Sequence, residues 1–230
     1  PSGDLSSTIQ NANNAYSYYN INDYFIINNS WGFEKPLKNA SGFYTGVNNS
    51  NWDTIISNAV RDKITSINSN SDTQYNQKML FVHAAGNGAQ HCGSASITDC
   101  DYFAALYSKV RAQGYEIGQD TIFVGSLSDG GTSMAPYSYQ AGSIPEDFIV
   151  AHDDVLFIGD ASGTSFSAPR VVGAAALLRQ KFPNLSGSQI KQVILQTATD
   201  LGVSGPDKVY GYGELNIENA MSPQGKITVQ

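Results

Sequence analysis

The stretch "GTSFSAPRVVGAAALL", Gly163 to Leu178, sets small and hydroxylated residues against the start of an apolar helix. A helix start needs one capping oxygen, not a run of Gly, Ser and Ala. Pro169 also withholds a backbone donor and crowds the carbonyl of residue 165, four positions back. Two readings fit: a polar loop entering a core helix, or a serine nucleophile with small neighbours that leave room for a substrate backbone. Ser165 at a helix N-terminus would have unpaired N–H groups and the positive dipole end beside it. Acyl transfer requires such a setting, because the reacting carbonyl oxygen gathers negative charge.

Two further segments end an apolar run with small polar residues: "NNSWG" around Ser30 and "AAGNG" around Asn87. In an open α/β sheet the loops at the carboxyl ends of the strands converge on one crevice. Ser30, Asn87 and Ser165 are therefore expected to meet although far apart in sequence.

The elements that must position them can be read from periodicity. Leu5, Ile9, Ala12, Tyr16 and Tyr19 predict an amphipathic helix over about 5–19, and Ile56, Val60, Ile64 and Ile67 predict a second. Strands are expected in "YFIINNSWG", a β-rich run ending in a Gly, in "MLFVHAAGNG", an apolar strand leading into an Asn-Gly turn, and in "TIFVGSLSD", "FIVAH" and "VLFIG", with a short helix from Tyr102 to Ala112. Residues 33–52 read as a surface excursion and 88–119 as irregular. The helix after Gly163 runs to about Phe182. Another opens at "NLSGSQIKQVI", where Ser186 and Gln189 have capping-box spacing and Leu185 and Ile190 flank it as a hydrophobic staple. Strands alternating with helices, at spacings too long for hairpins, give an α/β fold: a mainly parallel sheet with helices on both faces.

The 230 residues suffice for one domain with a sizeable core. Acids outnumber bases 20 to 13, for a formal charge of -7, and no basic cluster interrupts that balance. Nucleic acid and anionic membranes are therefore poor partners. The longest apolar run, Val171 to Leu178, falls far short of the ~20 residues that span a membrane. Only 14% of the residues are charged, a polar but weakly charged surface that suits a secreted protein. Cys92 and Cys100, in "HCGSASITDC", read as a disulfide in an oxidising compartment. Metal ligation with His91, Asp99 and Asp101 is the rival reading, weakened by the lack of a Cys-x-x-Cys pair.

The serine segment with its context resembles the subtilisin-like serine proteases, the subtilases. "GTSFSAP" is similar to the family's GTSxxxP motif, which implies Ser165 as nucleophile. "AAGN" resembles the segment with the oxyanion-hole asparagine, which implies Asn87 in that role and Ala85 and Gly86 as substrate-binding backbone. "NNSWG" resembles the strand that pairs with substrate, here Ser30, Trp31 and Gly32, and "YGYGELNIENA" the closing turn and helix. The matches keep the family's order and span nearly the whole chain. The resemblance implies a polypeptide substrate, and the form of "NNSWG" is most similar to bacterial autotransporter subtilases, implying an extracellular or cell-surface location.

The chain also departs from the pattern. Subtilases order their triad Asp, His, Ser, yet neither a DTG-like turn nor an HGTxxAG helix occurs here. His83, His91 and His152 match no family position, so no general base is assigned. A serine hydroxyl without a neutral imidazole to accept its proton is a weak nucleophile. Residues 1–230 are therefore expected to be the downstream part of one peptidase domain, incomplete at its N-terminal side, whose Asp and His lie on an upstream segment. The alternative is a catalytically silent subtilase-like module for binding or surface adhesion. No cofactor is expected. Calcium binds many subtilases, but "HDD" at 152–154 is too short an acidic run to imply a metal site.

Overall fold

A computed structural model describes residues 24–32, 37–38, 44–45, 52–68, 79–115, 117–128, 130–154 and 162–222. The expected helix over 5–19, the "VLFIG" run and most of the 33–52 excursion lie outside them.

Four of the expected strands form one sheet: β1 (Phe25–Asn29), β4 (Met79–Ala84), β5 (Thr121–Leu127) and β6 (Phe148–His152). They lie in the order β1-β4-β5-β6, and each neighbouring pair is parallel. β2 (Leu37–Lys38) and β3 (Tyr44–Thr45) form a separate small antiparallel pair within the excursion. Among the described residues, three α-helices precede β5 and β6: α1 (Trp52–Asn68), α2 (Ile97–Cys100) and α3 (Tyr102–Arg111). Three follow them: α4 (Thr164–Lys181), α5 (Gly187–Gln196) and α6 (Ile217–Met221).

The sheet is apolar on both sides because helices cover both. Leu80, Val82, Ile122, Val124 and Ile149 point to one face, where Ala168, Val171, Ala175 and Leu178 of α4 and Ile190 and Ile194 of α5 meet them. Phe123, Phe148 and Val150 point to the other, against Ala104 and Tyr107 of α3. Ile56 and Val60 of α1 complete that second layer on Tyr102, Ala105 and Val110. Burying each large side chain of this kind stabilises the fold by roughly 1.5–3 kcal/mol. The runs lack strict alternation for this reason.

α4 crosses all four strands of the sheet, which its small residues permit: Ala168, Ala174 and Ala175 are buried. α5 starts as its sequence foretells. Ser186 Oγ accepts the Gln189 N–H, and Gln189 Oε1 accepts the Ser186 N–H, closing the capping box. Gly187 follows because α5 lands on the start of β4: a Cβ there would fall 1.7 Å from the Met79 carbonyl oxygen.

Candidate active site

The carboxyl ends of the strands meet the first turn of α4, and three consecutive residues of that turn each hold a different strand end. Gly163 donates its N–H to Asp153, just past β6, at 2.5 Å. Thr164 donates its N–H to Asn87 Oδ1, past β4, at 2.9 Å, and its hydroxyl to the same oxygen at 3.1 Å. The Thr164 hydroxyl also accepts the Gly86 N–H at 3.0 Å. Ser165 donates its hydroxyl to the carbonyl of Ser30, past β1, at 3.1 Å. The convergence expected of Ser30, Asn87 and Ser165 is therefore present.

The contact between Ser30 and Ser165 runs both ways. Ser30 Oγ donates to the Ser165 carbonyl at 3.2 Å. In an uninterrupted helix the N–H of residue 169 would take that carbonyl, but Pro169 has none. A hydroxyl from another element supplies the missing donor and ties the turn to β1.

Asn87 is oriented by Thr164. Its carbonyl end faces the two Thr164 donors, so its NH2 end lies along Gly163, where an added Cβ would come within 3.2 Å of Nδ2. Gly163 is the N-cap residue at φ +141°, a backbone conformation that side-chain-bearing residues rarely adopt. Thr164 gives its N–H to Asn87 and Phe166 gives its own to the Gly163 carbonyl at 2.8 Å. Among the described residues, Ser165 contributes the remaining N–H of this turn.

The other expected site residues are placed as follows. Trp31 and Gly32 continue β1 outward, with Trp31 50% exposed and edge-on to Phe103. Ala85 is buried, and its N–H is donated to the Val124 carbonyl at 2.8 Å. Cys92 and Cys100 are joined by a disulfide with a Cα–Cα distance of 6.1 Å. With both sulfurs in the bridge, neither is a thiolate ligand. Asp99 instead accepts the Ser94 hydroxyl, and Asp101 caps α3 through the Ala104 N–H.

Two buried polar groups near the site carry no motif and escape a sequence reading. His83 on β4 is 1% exposed, with its Nδ1 2.5 Å from Asn29 Nδ2 and its Nε2 3.3 Å from Asp101 Oδ1. The Asn29 donor assigns the ring proton to Nε2, which faces the Asp101 carboxylate without the alignment of a hydrogen bond. This cluster lies beneath Gly32, whose added Cβ would meet Asp101 Oδ2 at 2.6 Å. No described hydrogen bond joins a histidine to Ser165. The second group is Asp153, which also accepts the Tyr137 hydroxyl. Burial, and then that bond, push the Tyr137 phenol up to about 12. The one available signal was position, since Asp153 follows a strand whose end faces the crevice.

A parallel α/β sheet with a serine at the start of the helix that crosses it, an asparagine beside that serine and a strand end bonded to it define a class of fold and site. The chain belongs to the Subtilase family, whose profile matches residues 1–213. It is 28% identical over 218 residues to Serotype-specific antigen 1 of Mannheimia haemolytica, covering 87% of this chain and 21% of that protein. It is 31% identical over 167 residues to the Neisserial autotransporter lipoprotein NalP of Neisseria meningitidis serogroup B, covering 64% of this chain and 14% of that protein. The self-cleaved protease domain of PatA shares the fold, with a TM-score of 0.55 and 21% identity, covering 94% of this chain and 66% of that one. The chain thus spans a small part of these curated relatives and about two thirds of the solved domain. Among the described residues no helix is long and apolar enough to cross a membrane.

Proposed function

We propose that this chain carries the nucleophile and oxyanion site of a subtilisin-like serine endopeptidase, whose histidine and aspartate lie on polypeptide outside residues 1–230. The first turn of α4 carries the reading: Ser165 stands second in the helix, bonded to the end of β1, with Asn87 fixed on the residue beside it.

The Ser165 oxygen attacks the scissile carbonyl while its hydroxyl proton, turned away from the Ser30 carbonyl it bonds in the free site, is transferred to the imidazole. The Ser165 N–H and the Asn87 NH2 hold the oxygen that becomes negative. Collapse expels the amine, which takes the proton, and leaves an acyl group on Ser165 that water then removes. Ser30, Trp31 and Gly32 run along an edge of the described sheet, where a substrate backbone adds as a further strand. None of these steps requires a cofactor.

The similarity to the Neisserial autotransporter lipoprotein NalP supports a secreted or surface-held bacterial protein.

A fluorophosphonate applied to the gene's full product tests the proposal. Ser165 is expected to be labelled, and S165A to abolish labelling. N87A is expected to slow turnover about 100- to 1000-fold, a magnitude carried over from subtilisin's own oxyanion asparagine. A full product that stays unlabelled is a silent binding module.

A further inference from the structure

The first turn of α4 is poorly determined by its own sequence. Its N-cap is a glycine with no side chain to cap the helix, and Pro169 removes a bond one turn on. Groups from outside hold it instead. Asn87 and Ser30, which grip Thr164 and Ser165, belong to the acyl-transfer site. Asp153, which grips Gly163, has no part in that chemistry.

Asp153 is 2% exposed. Its Oδ2 accepts the Gly163 N–H at 2.5 Å and the Tyr137 O–H. The Tyr137 hydroxyl lies 3.2 Å from Ser126 Oγ on β5, and the Ser126 N–H is donated to Ser138 Oγ at 2.9 Å. One chain of hydrogen bonds thus runs from β5 through Tyr137 and the carboxylate to the residue before Thr164. Asp154 adds a second tie, accepting Arg170 Nη2 of α4 at 2.7 Å. A buried carboxylate is costly unless hydrogen-bonded, and charge-assisted bonds are stronger than neutral ones. The negative charge also suits the positive end of α4.

We propose that Asp153 is a positioning residue for the peptidase reaction: with Tyr137 it locks Gly163 and so aims the Ser165 hydroxyl and N–H at the scissile carbonyl. This rests on the reading of Ser165 as the nucleophile. Asp153 acts through Gly163, not on the substrate. Its loss therefore lowers the rate of acylation and leaves ground-state binding alone. Misplacing a reacting group by about 1 Å costs on the order of 100-fold.

The test uses the full gene product, with D153A, D153N and Y137F beside the native protein. The readouts are the rate of Ser165 labelling by a fluorophosphonate, kcat and KM on a peptide, and amide exchange at Gly163. D153A is expected to slow labelling and kcat by about 10- to 100-fold with KM unchanged, and to speed Gly163 exchange. D153N, whose amide oxygen still accepts the Gly163 N–H, is expected to recover most of the loss. Y137F keeps the carboxylate and supplies a milder variant with the same pattern should D153A fail to fold. Native labelling rates in D153A or, where it does not fold, in Y137F would overturn the proposal, as would a rise in KM at constant kcat. If the native protein itself is not labelled, the peptidase reading fails. Gly163 exchange then still decides the clamp, since unchanged protection without the carboxylate shows that Asp153 does not hold the turn.

Discussion

At the scale of single residues, the Ser30–Ser165 pair shows how a helix defect becomes a link between elements. Pro169 leaves the Ser165 carbonyl without its helical donor, and Ser30 Oγ supplies one. Leaving a part-buried acceptor unmade costs about 1–3 kcal/mol. S30A is therefore expected to lower stability by that amount, read as the midpoint of denaturant unfolding. P169A restores an N–H at the helical position, so S30A with P169A together should recover most of the loss. An additive double variant would show that the two groups do not serve the same carbonyl. Half of this was readable in advance, since a proline four residues after a serine frees that serine's carbonyl. The donor was not, because Ser30 lies 135 positions away and no local period links the two. The same holds for His83 with Asn29 and for Asp153 with Tyr137.

At the scale of elements, the apolar runs disclosed the strands because each is buried on both faces, and the Ser186 box disclosed where α5 begins. What packs one element's end against another was silent in the sequence where it is ionic. Asp147, just before β6, pairs with Lys191 of α5 and Arg111 of α3. Lys191 also donates to the Gly118 carbonyl at 3.3 Å, and its burial lowers the ammonium below its ordinary value while Asp147 opposes that shift. A lysine five residues past a serine cap reads as solvent-facing, yet this one is fully enclosed. Removing one partner of a buried pair strands the other charge, at about 3–5 kcal/mol. D147A is expected to lose that much in a denaturation experiment, whereas K191M, which removes the cation and leaves Asp147 paired with Arg111, should lose less. Equal losses would show that Arg111 does not compensate Asp147.

At the scale of the whole molecule, tyrosines buried in the fold become determinants of pH response. Burial raises the phenols of Tyr24 and Tyr137 to about 12, with Arg179 partly opposing the shift at Tyr24, and raises Tyr107 further. Each is protonated in the fold where the unfolded chain, with an ordinary value near 10, begins to ionise. Their contribution is complete below pH 10 and is lost as pH climbs toward 12, because the native state then binds more protons than the unfolded one. The lowered Lys191 acts in the opposite sense, but only below the ordinary lysine value of 10.5. Between about pH 10.5 and 12 these phenols set the slope of this group, and stability should fall. Y24F separates the effect from general alkaline denaturation. The Tyr24 hydroxyl is buried without a hydrogen-bond partner among the described residues, while its ring stacks under the Arg179 guanidinium at 4.3 Å. Phenylalanine keeps the stacking and removes the unsatisfied oxygen. Y24F should therefore gain about 1 kcal/mol at pH 7 and show a shallower alkaline limb, both measured by denaturant unfolding across pH. An unchanged limb would mean that Tyr24 ionises as readily in the fold as in the open chain.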